Sequence, residues 1–273
     1  MIVALIDNGS LEPAAHRNLR AVAAELSARA EIPVDAVSWK HSDRVPAGAL
    51  DGVPAWTLVN WLRRHFAAGQ REFLFVPFFI SAQGAIGSAL REDLDKLRAE
   101  LGTFEFSFSD GLAARGALPE IIAARVCETI VERKLSRPAV IVVDHGGPSP
   151  VSATLRDQIA GAVRTLISPE IGPLSAASME GAAHAHNRPL FADVLAAPGF
   201  DRGDVVVAPL FLSPGRHAGA DGDLAQIAGT ATDRAWPRRV HFTELVGTHP
   251  SAVETLAAAL REALASRNLQ PSV

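Results

Sequence analysis

The feature that most constrains this chain is that it says one thing twice. The first half opens with "MIVALIDNGSLEPAAHRNLRAVAAELSARA" and the second with "AVIVVDHGGPSPVSATLRDQIAGAVRTLI". Each is an apolar strand, a polar turn and a helix. Asp7-Asn8-Gly9-Ser10 falls against Asp144-His145-Gly146-Gly147. Further on, "EFLFVPFFISAQGAIGSALREDLDKL" matches "DVVVAPLFLSPGRHAGADGDLAQIA", with Pro77-Phe78-Phe79-Ile80-Ser81 on Pro209-Leu210-Phe211-Leu212-Ser213. Both halves then close on a helical pattern, near 118–134 and 250–266.

Strand-like runs at 2–6, 72–79, 104–108, 138–143, 174–178, 204–210 and 241–246 alternate with helical ones. That alternation means βαβ units, and so parallel sheets with helices on both faces. The expected fold class is α/β: two similar doubly wound lobes with parallel sheets, related by internal duplication and packed about a pseudo-twofold axis. The short polar segment "ERKLSRP", Glu132 to Pro138, is the natural join. It divides the 273 residues into lobes 1–134 and 135–273, each of ordinary domain length.

Charge and composition exclude several classes of partner. The formal net charge is −4 and no lysine–arginine block stands out, so there is no electrostatic footprint for nucleic acid. The pairs Arg63–Arg64 and Arg238–Arg239 read as solvated helix or loop positions. The single cysteine, Cys127, precludes an internal disulfide and reads as a small core residue of "PEIIAARVCETIVERKL". "MIVALIDNGS" lacks the basic start and long apolar stretch of a signal peptide, and no apolar run approaches the ~20 residues that span a bilayer. A cytoplasmic chain without a membrane partner is the expectation. Its 48% apolar content permits a homodimer without requiring one.

Ligands of open α/β sheets bind beyond the carboxyl ends of the strands. His145 follows the 138–143 strand inside a glycine turn. His217 lies seven residues past the 204–210 strand in the Pro/Gly-rich "PLFLSPGRHAGADGD", and Glu180 follows "PLSAASM". His249, after the 241–246 strand, belongs to the same rim but reads as a helix-start turn with Thr248 as cap, hence structural. Two imidazoles and a carboxylate suit a borderline divalent ion such as cobalt, iron, nickel or zinc, and a ligand set of three leaves a position open for chemistry. His184 and His186, in "AAHAHN", read as a surface feature or an auxiliary metal site. No nucleotide fingerprint or phosphate loop is present: "GSLEPA" and "GGPSPV" fail both patterns.

"VVDHGGPSP", "ASMEG", "VVVAPLFLSPGRHAGADGDLAQI" and "VGTHP" together resemble the class II tetrapyrrole chelatases, and more narrowly the sirohydrochlorin cobaltochelatase/ferrochelatase family of cobalamin and sirohaem biosynthesis. The resemblance covers the second half well and the first as a weaker duplicate. It implies that His145 and His217 are the catalytic and metal-binding histidines, with Glu180 as the acidic residue near them. The metal, cobalt, iron or nickel, is then a substrate, the partner is a tetrapyrrole, and no organic cofactor is implied. Asn8 stands where His145 stands and Ala85 where His217 stands, so the first lobe is not expected to chelate. Its expected part is a cleft wall, as a second subunit would supply.

Metal insertion removes two pyrrole protons, and a neutral imidazole can serve both as base and as transient ligand. His217 is the expected principal base, His145 the second ligand, and Glu180 the offset to the ion's charge. Sirohydrochlorin is rich in carboxylates, for which Arg216 is the expected clamp. Ser149 and the amides of Gly146 and Gly147, at the start of a helix, are expected to bind another. The main alternative is a non-catalytic metal or tetrapyrrole binding protein, a carrier or chaperone; a two-lobed periplasmic-type binding protein is a third. If the histidines act as neutral ligands, insertion activity measured against pH should fall as pH drops through ~6.5, where free imidazole protonates.

Overall fold

A computed structural model describes residues 1–81, 85–219, 221–230 and 238–268 of the chain. They form two compact units, 1–116 with 250–273 and 117–249.

In the first unit β1 (Ile2–Asp7), β2 (Val34–Ser38), β3 (Trp56–Thr57), β4 (Glu72–Pro77) and β5 (Glu105–Phe108) make a parallel sheet in the order β3-β2-β1-β4-β5. The helices α1 (Pro13–Ala30), α2 (Leu58–Ala67) and α3 (Ala85–Leu101) link its strands. β1 carries consecutive buried residues from Val3 to Ile6, as a strand covered on both faces must. The core here is aromatic: Trp61 meets Phe73 edge-on at 5.4 Å, and Phe73 meets Phe104 at 5.6 Å.

The second unit opens with α4 (Leu118–Arg133). Its sheet runs β7-β6-β8-β9, with β6 (Ala139–Asp144), β7 (Leu174–Ser178), β8 (Gly203–Pro209) and β9 (Arg238–Phe242), all parallel. The connecting helices are α5 (Pro150–Ile167), α6 (Phe191–Leu195) and α7 (Asp223–Thr230). Its core is aliphatic, built on Ile141, Val143, Val205 and Val207 with Phe191. In both sheets the chain winds one way from the central strand and then the other. The direction therefore reverses between β1 and β4, and between β6 and β8.

Three expectations need correction. The strand after 238 spans Arg238–Phe242, not 241–246, so the pair Arg238–Arg239 is strand and not helix or loop. Arg239 stands opposite Asp204 in the ladder, and the guanidinium grips that carboxylate with two bonds of 2.7 Å. An apolarity rule starts the strand too late because its first residues are charged. β2 lies outside the expected strand runs, since Asp35 interrupts its apolar pattern; that carboxylate accepts the Trp61 indole N–H at 2.8 Å, which removes the cost of placing it there.

The third correction concerns the join at 134/135. The helices that close each half pack away from the half that encodes them: α4 lies on α5 and β8, while the final helix, α8 (Pro250–Asn268), lies on α1. On α4, Arg125 is buried and reaches the Leu245 carbonyl at 3.3 Å and the Thr248 hydroxyl at 2.9 Å. On α8, Arg261 donates to the Arg29 carbonyl at 3.0 Å and Glu254 pairs with Arg29 at 3.2 Å. The packing boundary thus falls before α4 and again before α8. Cys127 is half-buried on α4, and burial pushes its thiol upward. Among the described residues no helix is long and apolar enough to cross a membrane.

Burial also perturbs Asp7, at the end of β1, raising its carboxyl from 3.8 to about 6. The unfolded chain gives up this proton near the lower value and the folded chain near the higher, so stability is lost as pH climbs between them and stays lost above. The loss amounts to roughly 3 kcal/mol. Asp7→Asn should therefore raise the thermal midpoint at pH 7.5 and give little gain at pH 4, read by calorimetry at both.

Candidate functional site

The two expected histidines leave the strands that flank the reversal in the second sheet. His145 follows β6 and His217 follows the loop after β8, on either side of the crevice where open sheets take ligands. Their rings lie edge to face with centroids 4.7 Å apart. Residues 72 positions apart in sequence thus share one small volume.

Each imidazole is oriented by a partner at Nδ1. His217 Nδ1 is 2.6 Å from Asp223 Oδ2, at the first turn of α7. His145 Nδ1 is 2.6 Å from the Gly146 carbonyl, which can only accept. Both Nδ1 atoms are therefore the N–H donors, and both rings present the Nε2 lone pair. His145 Nε2 faces Glu180 Oε1 at 3.4 Å, two acceptors across a gap that a cation or a proton would bridge. The loop below His217 is tied to its helix as well: the Arg216 and His217 carbonyls accept the amides of Asp223 and Leu224 at 3.1 and 3.2 Å.

Among the described residues no three His, Cys, Asp or Glu side chains are gathered closely enough to hold a metal ion. The expected set is linked pairwise, His217 to His145 and His145 to Glu180. His145 is the common member.

The turn that carries His145 is fixed by backbone. Gly146 has φ +83, and a Cβ there would stand 2.2 Å from the Glu180 carbonyl. Only glycine permits the exit of β6 to press against the exit of β7 this closely. The Met179 amide donates to Asp144 O at 2.8 Å and the Glu180 amide to His145 O at 3.1 Å, which closes the two exits together. Asn187, 1% exposed, stitches the turns: its Oδ1 takes the Gly147 amide at 3.3 Å, and its Nδ2 gives to Gly147 O at 3.1 Å and Gly181 O at 3.0 Å.

These contacts revise the expected carboxylate cradle. The Gly147 amide is engaged by Asn187 and so is not an anion donor. Ser149 is the N-cap of α5 but makes no side-chain cap bond. Arg216 is 79% exposed, its Nε 3.6 Å from Asp223 Oδ2. His184 and His186 stack at 5.3 Å, and His186 Nε2 sits 2.8 Å from Gly147 O, so that ring serves the turn. His249 is buried, its Nε2 3.6 Å from Glu128 Oε1. The Thr248 hydroxyl, expected as a cap, donates instead to the Leu245 carbonyl at 3.0 Å.

Sequence reasoning missed Asp223 and Asn187. The first sits six residues after His217 at a helix start, where an acid is a common N-terminal residue and draws no notice. The second follows the set-aside "AAHAH". Beneath the site, Asp144 accepts the Ser178 hydroxyl at 2.6 Å and lies 3.6 Å from Arg156 Nη1. Burial raises the Asp144 carboxyl, and the Ser178 hydrogen bond and Arg156 oppose the rise.

Gly146→Ala should destabilise the second unit by roughly 2–4 kcal/mol, through a positive φ and a clash with a backbone oxygen. Denaturant unfolding of the two proteins measures it.

Residues 139–263 match the sequence model of the CbiX family. No protein of curated function matches the chain's sequence. Among solved structures, SirB from Bacillus subtilis with Fe3+ is 13% identical with a TM-score of 0.68, over 99% of this chain and 98% of that one. The sirohydrochlorin chelatase SirB from Bacillus subtilis subspecies spizizenii, in complex with cobalt, is 15% identical with a TM-score of 0.67, over 99% and 98%. CbiX, described as the terminal enzyme for siroheme biosynthesis in denitrifying bacteria, is 18% identical with a TM-score of 0.62, over 96% and 98%. At such identities the structural likeness is one of fold; the segment that matches the CbiX model holds His145, Glu180, His217 and Asp223. Over residues 139–263, which carry both histidines, the chain is similar to the CbiX family.

Proposed function

We propose that this chain is a sirohydrochlorin chelatase, inserting a divalent ion, cobalt or ferrous iron, into sirohydrochlorin or a related tetrapyrrole on the way to cobalamin or sirohaem. The observation that carries the reading is the imidazole pair at 4.7 Å, each ring fixed at Nδ1 and presenting Nε2, inside the segment that matches the family. The metal is a substrate: it arrives hydrated, exchanges water for ring nitrogens, and leaves in the macrocycle.

Insertion exchanges one dication for two pyrrole protons, so the site must offer two bases and a transient hold. His217 takes a proton at Nε2, and Asp223 steadies the imidazolium that results. His145 Nε2 and Glu180 Oε1 face each other across 3.4 Å and receive the ion; one of them accepts the second proton as the ion departs. Pairwise rather than three-point contact suits transfer, since a closed cage would retain the ion. Arg216 meets a substrate carboxylate at little cost, because its pairing with Asp223 is solvent-exposed and long. The Gly146 amide and Ser149 remain the helix-start donors for another.

Purified protein should accelerate Co2+ or Fe2+ insertion into sirohydrochlorin, followed by the visible spectrum of the macrocycle. His217→Ala should lose ~10²-fold or more of that rate; unchanged turnover in this variant would overturn the assignment. Tight stoichiometric binding of metal or tetrapyrrole with no acceleration would mark a carrier instead. Asp223→Asn should lower activity by ~10–100-fold while leaving the fold intact, because the amide no longer fixes the His217 tautomer. Steady-state kinetics with circular dichroism as the folding control checks it.

A further inference from the structure

Below the imidazoles, α5 buries a guanidinium. Arg156 is 1% exposed, and its Nη1 donates to the Ser178 hydroxyl, which in turn donates to Asp144 Oδ1 at 2.6 Å. Its Nη2 donates to the His186 carbonyl at 3.3 Å, and Nε donates to Asp157 Oδ1 at 2.9 Å. One planar fork therefore ties three pieces of chain: the end of β6 beside His145, the end of β7 two residues before Glu180, and the 185–187 turn. That turn supplies the His186 and Asn187 side chains that hold Gly147. Two carboxylates flank the guanidinium, so it adds no net positive charge under a cation site.

The duplicate in the first unit isolates what this residue is for. Asp7 stands opposite Ser38 in β1 and β2, as Asp144 stands opposite Ser178 in β6 and β7. Pro13 and Pro150 begin α1 and α5, and at the same distance along the helix the first unit has Leu19 where the second has Arg156. Ser38 is 1% exposed beside the Asp7 carboxyl, and with Leu19 it lines a small cavity. Arg20 instead reaches the carbonyls of Leu50, Val53 and Pro54. The unit with Asn8 and Lys40 in the ligand positions lacks the buried fork; the unit with His145 and Glu180 has it.

We propose that Arg156 is a positioning residue of the metal site, holding the His145 and Glu180 turns at the separation the ion requires. The proposal rests on the reading of His145 as a metal ligand. The experiment is titration of the full-length protein with Co2+, following affinity and the visible d–d spectrum, with folding monitored by circular dichroism. Arg156→Leu, the first unit's own choice, should weaken Co2+ binding ~10–100-fold and alter the spectrum of the bound ion. Ser178→Ala, which keeps the guanidinium and nearly the volume, should give a loss in the same direction of several-fold. Arg156→Lys, which keeps charge but not the fork, should recover part of the affinity. Wild-type affinity and spectrum in the folded Arg156→Leu protein would overturn the proposal. Should that variant not fold, wild-type binding by both Ser178→Ala and Arg156→Lys would do the same. His145→Ala separates the two ideas: undiminished Co2+ binding there removes the ligand assignment itself, whereas weakened binding there beside an unaffected Arg156→Leu removes only the role of the arginine.

Discussion

The close approach of two strand exits is the constraint from which the rest of the second unit follows. Where Gly146 passes the Glu180 carbonyl there is no room for a β-carbon. The amides of Met179 and Glu180 bind the carbonyls of Asp144 and His145 across the same gap. Backbone hydrogen bonds thus bring the residues after β6 and β7 side by side before any side chain is considered. His145 and Glu180 face each other because they lie one and two residues past the last paired residues of β6 and β7, and the Glu180 amide binds the His145 carbonyl.

The first unit obeys the same constraint without the same chemistry. Gly9, at φ +91, would press a β-carbon on the Lys40 carbonyl, and Lys40 and Trp39 bond back to Asn8 and Asp7 as Glu180 and Met179 do to His145 and Asp144. Here the facing residues are an amide and a lysine, and Lys40 is pinned over the Trp39 ring at 3.9 Å and against Asp93 at 3.3 Å. A fold supplies positions; the residues at those positions supply the reaction. One edge thus presents two imidazoles and a carboxylate, and the other is closed on its own charges.

Much of this was legible because it is local. The β6 turn announces itself as a β-branched run ending in Asp-His-Gly-Gly, and His217 as a histidine in a glycine-rich loop after a second such run. Asp223, Asn187 and Arg156 were not legible, and for one reason. Their roles are made by contacts across 6, 40 and 22 residues respectively, to His217, Gly147 and Ser178. In a string of letters each is an unremarkable helix or loop residue. The same holds for Asp35 in β2 and Arg239 in β9, whose charges hide strands that their cross-strand or helical partners make affordable.

The sequence by itself determined the duplicated α/β class, the strands and helices whose apolar pattern is unbroken (β2 and β3 are not among them), and the two histidines, because hydrophobic periodicity and turn chemistry act over a few residues. Tertiary structure alone decided that α4 and α8 pack outside the halves that encode them, that His145 and His217 meet, that His249 lies against Glu128, and which partner fixes each ring. Those outcomes depend on which surfaces are buried together, and burial is a property of the assembled sheet and its helices, which no local stretch of chain contains.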